Sequence, residues 1–200
     1  MDIIGVAGST SKAGKTTLIS LMLEDSRYKT AVIKTSIDNS LNQYKIITDR
    51  KIIHQKGTDT ARFIESGADR VVLLKSPASQ IPEAFNIVEN LIGKVERLLI
   101  EGNTLNNFLN PDLIFYLDNS EEEEKESARI IKNRAHIIVS SNILLQRRKL
   151  TELPIEIKAD SLTCYQTHLL ADLLKINVGR VGKIIHDQNI KVKKCQLGLF

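Results

Sequence analysis

Near its start the chain reads IIGVAGSTSKAGKTTLISLML, and few folds admit that stretch. Residues 3–7 are a short apolar run of the kind buried on both faces of a parallel sheet. Gly8, Ser9, Thr10, Ser11, Lys12, Ala13 and Gly14 are small or polar, and Lys15, Thr16 and Thr17 then open an apolar helix over 18–23. Residues with little side chain let successive backbone N–H groups converge on an anion. The helix N-terminus adds its unpaired N–H groups and the positive end of its dipole. Lys15 is spaced to reach the β- and γ-phosphates of a bound nucleotide, and the Thr16 hydroxyl to ligate Mg²⁺. The strict pattern is Gly, four residues, Gly-Lys-Ser/Thr. Here Gly8 stands one position earlier, so the loop is one residue longer. Lys12 is either a second phosphate contact or a solvated lysine.

A phosphate-binding loop needs a carboxylate at the end of another buried strand to hold the metal. RLLIEG supplies Glu101, a hard oxygen donor of the kind Mg²⁺ prefers; the alternative is a surface or capping glutamate. Two further strand ends belong on the same carboxyl edge, where open α/β sheets bind ligands. IKTSID places Lys34 there, for the γ-phosphate or an anionic second substrate, and Asp38, for Mg²⁺ or for orienting water. IIVSSN places Asn142 there, for a base edge. Each has an ordinary alternative as a loop residue. The Asn-Lys-x-Asp signature of guanine recognition does not follow Asn142, so the base is open between GTP and ATP. The expected catalytic set is Lys15, Lys34 and Asp38.

Two hundred residues, 42% apolar, suit one α/β domain with or without a small appendage. No apolar run reaches membrane-spanning length, no secretory leader is evident, and two distant cysteines make no disulfide framework. A cytoplasmic protein with no membrane partner is the expectation. The net charge of +4 fits an anionic ligand without arguing for nucleic acid. Apolar runs at 30–34, 69–74, 98–100, 113–117 and 136–139 read as strands, with helical spacing at 58–66 and 81–95. The acidic run 121–124 reads as a solvated first helical turn. This alternation predicts a doubly wound, mostly parallel sheet over 1–158.

Residues 159–200 read as a small helical, helix-turn-helix-like appendage with a β-tail. It comprises a helix over 162–174 capped by Ser161 or Asp160, a break at Asn177, a helix over 178–187, and the alternating segment IKVKK. Arg180, Lys183, Lys191, Lys193 and Lys194 make it basic, but no aromatic or amide cluster offers base contacts. Docking on the main domain or on a partner is therefore favoured over DNA. Cys164, His168, His186 and Cys195 are four candidate metal ligands whose spacing matches no common zinc module; a buried thiol and satisfied histidines are the commoner reading. The apolar tail from Cys195 reads as a docking segment.

GTDTARFIESGADRVVLL (57–74) resembles a stretch of the molybdopterin-guanine dinucleotide biosynthesis protein B (MobB) family, which shares the Gly-Lys-Thr-Thr-Leu loop end and the strand ending in Glu-Gly. The resemblance covers about the first 120 residues. It implies a P-loop NTPase fold, GTP and Mg²⁺ binding, weak hydrolysis and a homodimer. It also implies cooperation with the nucleotidyltransferase that attaches GMP to molybdopterin, in molybdenum or tungsten cofactor assembly. On this resemblance Asp59 and Arg62 sit near the nucleotide or a bound anion, where capping is the ordinary role for Asp59. Three features depart from it: Lys34-Thr35-Ser36-Ile37-Asp38 replaces a histidine-containing stretch, the C-terminal appendage is extra, and the loop is longer. The longer loop looks more like that of dethiobiotin synthetase and the cobyrinate amidating synthetases, which use ATP to phosphorylate a carboxylate. Two alternatives therefore stand beside the MobB reading: an ATP-dependent carboxylate-activating ligase, and a nucleotide-switched regulator with a DNA-binding C-terminal unit.

Overall fold

A computed structural model describes residues 1–119 and 126–194. Strands β1 (Asp2–Gly8), β2 (Thr30–Ile37), β3 (Lys45–Ile47), β4 (Arg70–Ser76), β5 (Arg97–Glu101), β6 (Leu113–Asp118), β7 (Ile137–Ser140) and β8 (Ile155–Ile157) form one sheet. Its order is β3-β4-β2-β5-β1-β6-β7-β8. The central pairings are all parallel, and β3 and β8 close the two edges antiparallel. The strands read from apolar runs are all present. The short edge strands β3 and β8 carry too few apolar residues to announce themselves in the sequence, and form by pairing onto an edge already there.

Apolar residues face both ways along each central strand, because helices cover both faces. On one face Ile4, Val6, Val32, Leu99 and Phe115 meet helices α1 (Lys15–Leu23) and α3 (Asp59–Glu65); the short α2 (Arg50–Ile53) precedes α3. On the other face Ala31, Ile33, Leu98 and Ile100 meet α4 (Ile81–Ile92) and α5 (Asn103–Phe108). Ile114 and Tyr116 meet α6 (Glu126–Arg134) there. The acidic run 121–124 lies outside the described residues, as does the tail from Cys195.

The first helix of the C-terminal segment departs from its expected start. Residues 161–163 form strand β9 (Ser161–Thr163), and the helix α8 (Cys164–Leu173) begins after it. Its cap is Thr163, not Ser161 or Asp160. The Thr163 hydroxyl accepts from Gln166 N, while the Gln166 side chain accepts from Thr163 N, a reciprocal capping box. The break expected at Asn177 lies over 174–177, and Asn177 itself caps helix α9 (Val178–Asp187), with the expected bounds, by accepting from Arg180 N at 2.8 Å. Strand β10 (Lys191–Lys193) then pairs parallel with β9.

The apolar side chains of this segment are continuous with those of the sheet: Leu170, Leu173 and Val181 share one buried cluster with Leu113, Ile137 and Ile157. Polar contacts pin it further. Arg97, only 4% exposed at the start of β5, reaches Asp172 of α8 at 2.8 Å and Asp2 of β1 at 3.4 Å, and lies over the Tyr28 ring. Gln166 donates to Asp112 O, and the Tyr165 hydroxyl to Asp2. Among the described residues no helix is long and apolar enough to cross a membrane.

Arg97→Ala removes the buried guanidinium that joins the half-buried Asp2 and Asp172 carboxylates, leaving Asp172 only the exposed Arg27. It is expected to lower stability by about 3 kcal/mol, read by urea denaturation. His136 gives a pH signature. Its Nδ1 accepts from Ile114 N, and burial, reinforced by the Arg134 charge, holds its pKa below the ordinary 6.5, with Asp112 opposing. Below that value the unfolded chain takes up the proton more readily, so stability is full above it and declines as pH falls through it. The melting temperature of the wild type is expected to drop between about pH 7 and about pH 5, and His136→Gln to flatten that slope.

Candidate functional site

The loop between β1 and α1 closes on itself. Gly14 takes a left-handed φ of 91° just before α1, where a side chain would be strained and would press on Leu144. A Cβ on Gly8 would stand 3.0 Å from the Ala13 Cβ. Ser9 N donates to Leu117 O, and the Ser9 hydroxyl accepts from Asn119 N, so the loop is anchored to the end of β6. Lys15 is 8% exposed, and its ammonium curls back to donate to Thr10 O at 2.5 Å and toward Ser11 O. In that pose the lysine lies against the loop backbone, where a phosphate oxygen would compete for it.

Four functional side chains converge beside the loop. Lys34 and Glu101 are register partners on the neighbouring strands β2 and β5. The Lys34 Nζ lies 2.9 Å from Glu101 Oε1 and 2.6 Å from Asp59 Oδ2. The Thr16 hydroxyl donates to Glu101 Oε2 at 3.3 Å. Thr58, not Asp59, caps α3, which leaves the Asp59 carboxylate for this cluster. Burial works against ionisation of both Lys34 and Asp59, yet their pairing prevails: Glu101 and Asp59 raise the Lys34 pKa, and Lys34 holds the Asp59 carboxyl below its usual range. Two carboxylates and a hydroxyl form the hard oxygen set that suits Mg²⁺. Asp59 thus stands beside Thr16 and Glu101 as a third candidate oxygen donor.

The scaffold around Glu101 is equally specific. Gly102 has φ 130°, and a Cβ there would fall 1.9 Å from Thr35 Oγ1, which donates to Glu101 O. Asn106 is fully buried and its amide donates to Ile100 O and Gly102 O. Asn103, which opens α5, accepts from Gly8 N and donates to Gly8 O, both at 3.0 Å. Sequence reading missed Asn103 and Asn119. The one signal for Asn103 was its place directly after Glu101-Gly102.

The other expected residues are placed less centrally. Arg62 donates to Thr17 Oγ1 at 3.4 Å, linking α3 to α1. Lys12 is exposed on the loop. Asn142 is exposed in the first turn of α7 (Ser141–Arg147), past the end of β7 on the same sheet edge. Asp38 turns to Ser40, whose hydroxyl and N–H hold its carboxyl below the usual range; the described contacts do not bring it to the Lys34 cluster. His168 and His186 are exposed, and the described residues contain no group of three His, Cys, Asp or Glu able to hold a metal. Cys195 lies outside them. A cavity of about 690 Å³ at the open edge of β4, lined by Arg50, Ile53, Val71 and Leu91, includes no residue of the loop.

The central parallel sheet thus carries a glycine loop before α1, with an acidic strand end alongside it. No protein-family model matches the chain, and no curated protein matches it. Among solved structures it is similar to HypB from Helicobacter pylori, determined in complex with nickel, at 14% identity and a TM-score of 0.35, over 96% of this chain and 77% of that one. A likeness this slight says nothing of nickel or of activity here.

Gly102→Ala tests the scaffold. With the Thr35 side chain in the way and a positive φ imposed on alanine, it is expected to destabilise the protein by about 2–3 kcal/mol, read by chemical denaturation.

Proposed function

We propose that this chain is a Mg²⁺-dependent, GTP-binding P-loop protein with slow NTPase turnover, of the MobB type, which assists molybdopterin-guanine dinucleotide assembly. One observation carries the nucleotide reading: Lys15, Thr16 and Glu101 stand together at the head of a glycine loop, with Thr16 and Glu101 already in hydrogen-bond contact. The loop N–H groups and the α1 N-terminus would cradle the phosphates. Lys15 would exchange its loop carbonyls for β- and γ-phosphate oxygens. Thr16, Glu101 and Asp59 would hold Mg²⁺, which when bound neutralises charge on the phosphates. The preference for GTP, the dimer and the nucleotidyltransferase partner rest on the resemblance of residues 57–74.

A second reading is favoured by Lys34. A half-buried cation at the strand end beside the candidate metal donors is what phosphoryl transfer from ATP to a carboxylate would use to stabilise the moving group.

Calorimetric titration of GTP and ATP under identical Mg²⁺ tests both. Preference for GTP supports the first reading. Preference for ATP, with phosphate release dependent on an organic acid, supports the second. Lys15→Met is expected to weaken nucleotide binding by on the order of 10–100-fold. Wild-type protein that binds neither nucleotide overturns the proposal.

A further inference from the structure

We infer that the Lys34 ammonium is a built-in counter-cation standing in the place of the divalent metal, so that metal binding and the Lys34 ion pairs exclude one another. This rests on the reading of Thr16, Glu101 and Asp59 as metal donors. The Lys34 Nζ touches both carboxylates, at 2.6 and 2.9 Å, and the second Glu101 oxygen holds the Thr16 hydroxyl. A Mg²⁺ bound to these oxygens at about 2.1 Å would stand within a few ångströms of an ammonium still on the same two groups. At such separations like charges repel strongly even with an effective dielectric near that of a protein surface. One cation must leave. Lys34 can: its side chain is 21% exposed, on a flexible four-carbon stem anchored in β2. Glu101, 4% exposed in β5, cannot.

The arrangement has two consequences. Without metal, Lys34 compensates two carboxylates that would otherwise repel each other in a partly buried site. With metal, the displaced ammonium remains tethered beside the loop and turns to whatever anion shares the pocket. Nucleotide and metal are then coupled through Lys34 as well as through direct chelation, because a terminal phosphate offers the displaced lysine a new partner.

Mn²⁺ binding to the nucleotide-free protein, followed by loss of the free-ion signal in electron paramagnetic resonance, tests this. Lys34→Met removes the competing cation and is expected to bind Mn²⁺ on the order of tenfold more tightly than wild type, while Lys34→Arg stays close to wild type. Equal or weaker binding by Lys34→Met, or none, overturns the inference. A second readout needs no substitution. Acylation of Lys34 in the wild type, followed by peptide mass spectrometry, is expected to speed up when Mg²⁺ is added; an unchanged or slower rate overturns it. Failure here with normal nucleotide binding leaves the proposed function standing. Failure of the wild type to bind nucleotide strikes at that function instead.

Discussion

The pairing of Lys34 with Glu101 across adjacent strands is the interaction on which the rest of the site depends. Parallel strands end on the same edge, so residues in register at their carboxyl ends present their side chains side by side. A glutamate that is 4% exposed needs a partner, and Lys34 supplies one while drawing in Asp59 from the first turn of α3. The backbone either side of Glu101 is then held by Thr35 and Asn106. Asn103, two residues on, clamps Gly8 and so joins the acidic strand end to the phosphate loop. Contacts around the end of β5 thus tie α1, α3, α5 and the loop to one another.

The opposite end of the sheet is organised by a second cation, and this one is buried. Arg97 opens β5, the strand that Glu101 closes, and it binds β1 and α8 together through Asp2 and Asp172. The helix pair α8–α9 is attached by this ion pair and by leucines that continue the sheet core. The basic residues of α9 and β10 remain on its outer side, with Val192 turned in between Lys191 and Lys193.

Much of this was legible in the chain. The central strands follow from apolar runs, and the loop from its glycines and Gly-Lys-Thr. That Thr16 and Glu101 meet follows from the place of each after a buried strand. Other parts were not legible, for reasons that differ. β3 and β8 are three-residue edges whose existence depends on a neighbour to pair with. Thr163 took the α8 cap because Gln166 stands three residues on, a local signal that the apolar run beginning at Leu162 obscured. Asn103 and Asn119 are ordinary polar residues until the fold brings them to Gly8 and Ser9, 95 and 110 positions away. Asp38 lay at the expected strand end, but Ser40 two residues on satisfied its carboxylate locally.

By itself the sequence determined the parallel α/β architecture and the place of the phosphate loop, because burial pattern and glycine placement are local properties of the chain. Tertiary structure alone decided which polar residues meet. Lys34, Asp59 and Glu101 are scattered over 68 positions (34 to 101, counted inclusively) and become one charge cluster only when β2 and β5 lie side by side and α3 packs over their ends. The physical reason is that ion pairs form between neighbours in space, and strand order, not spacing along the chain, makes those neighbours.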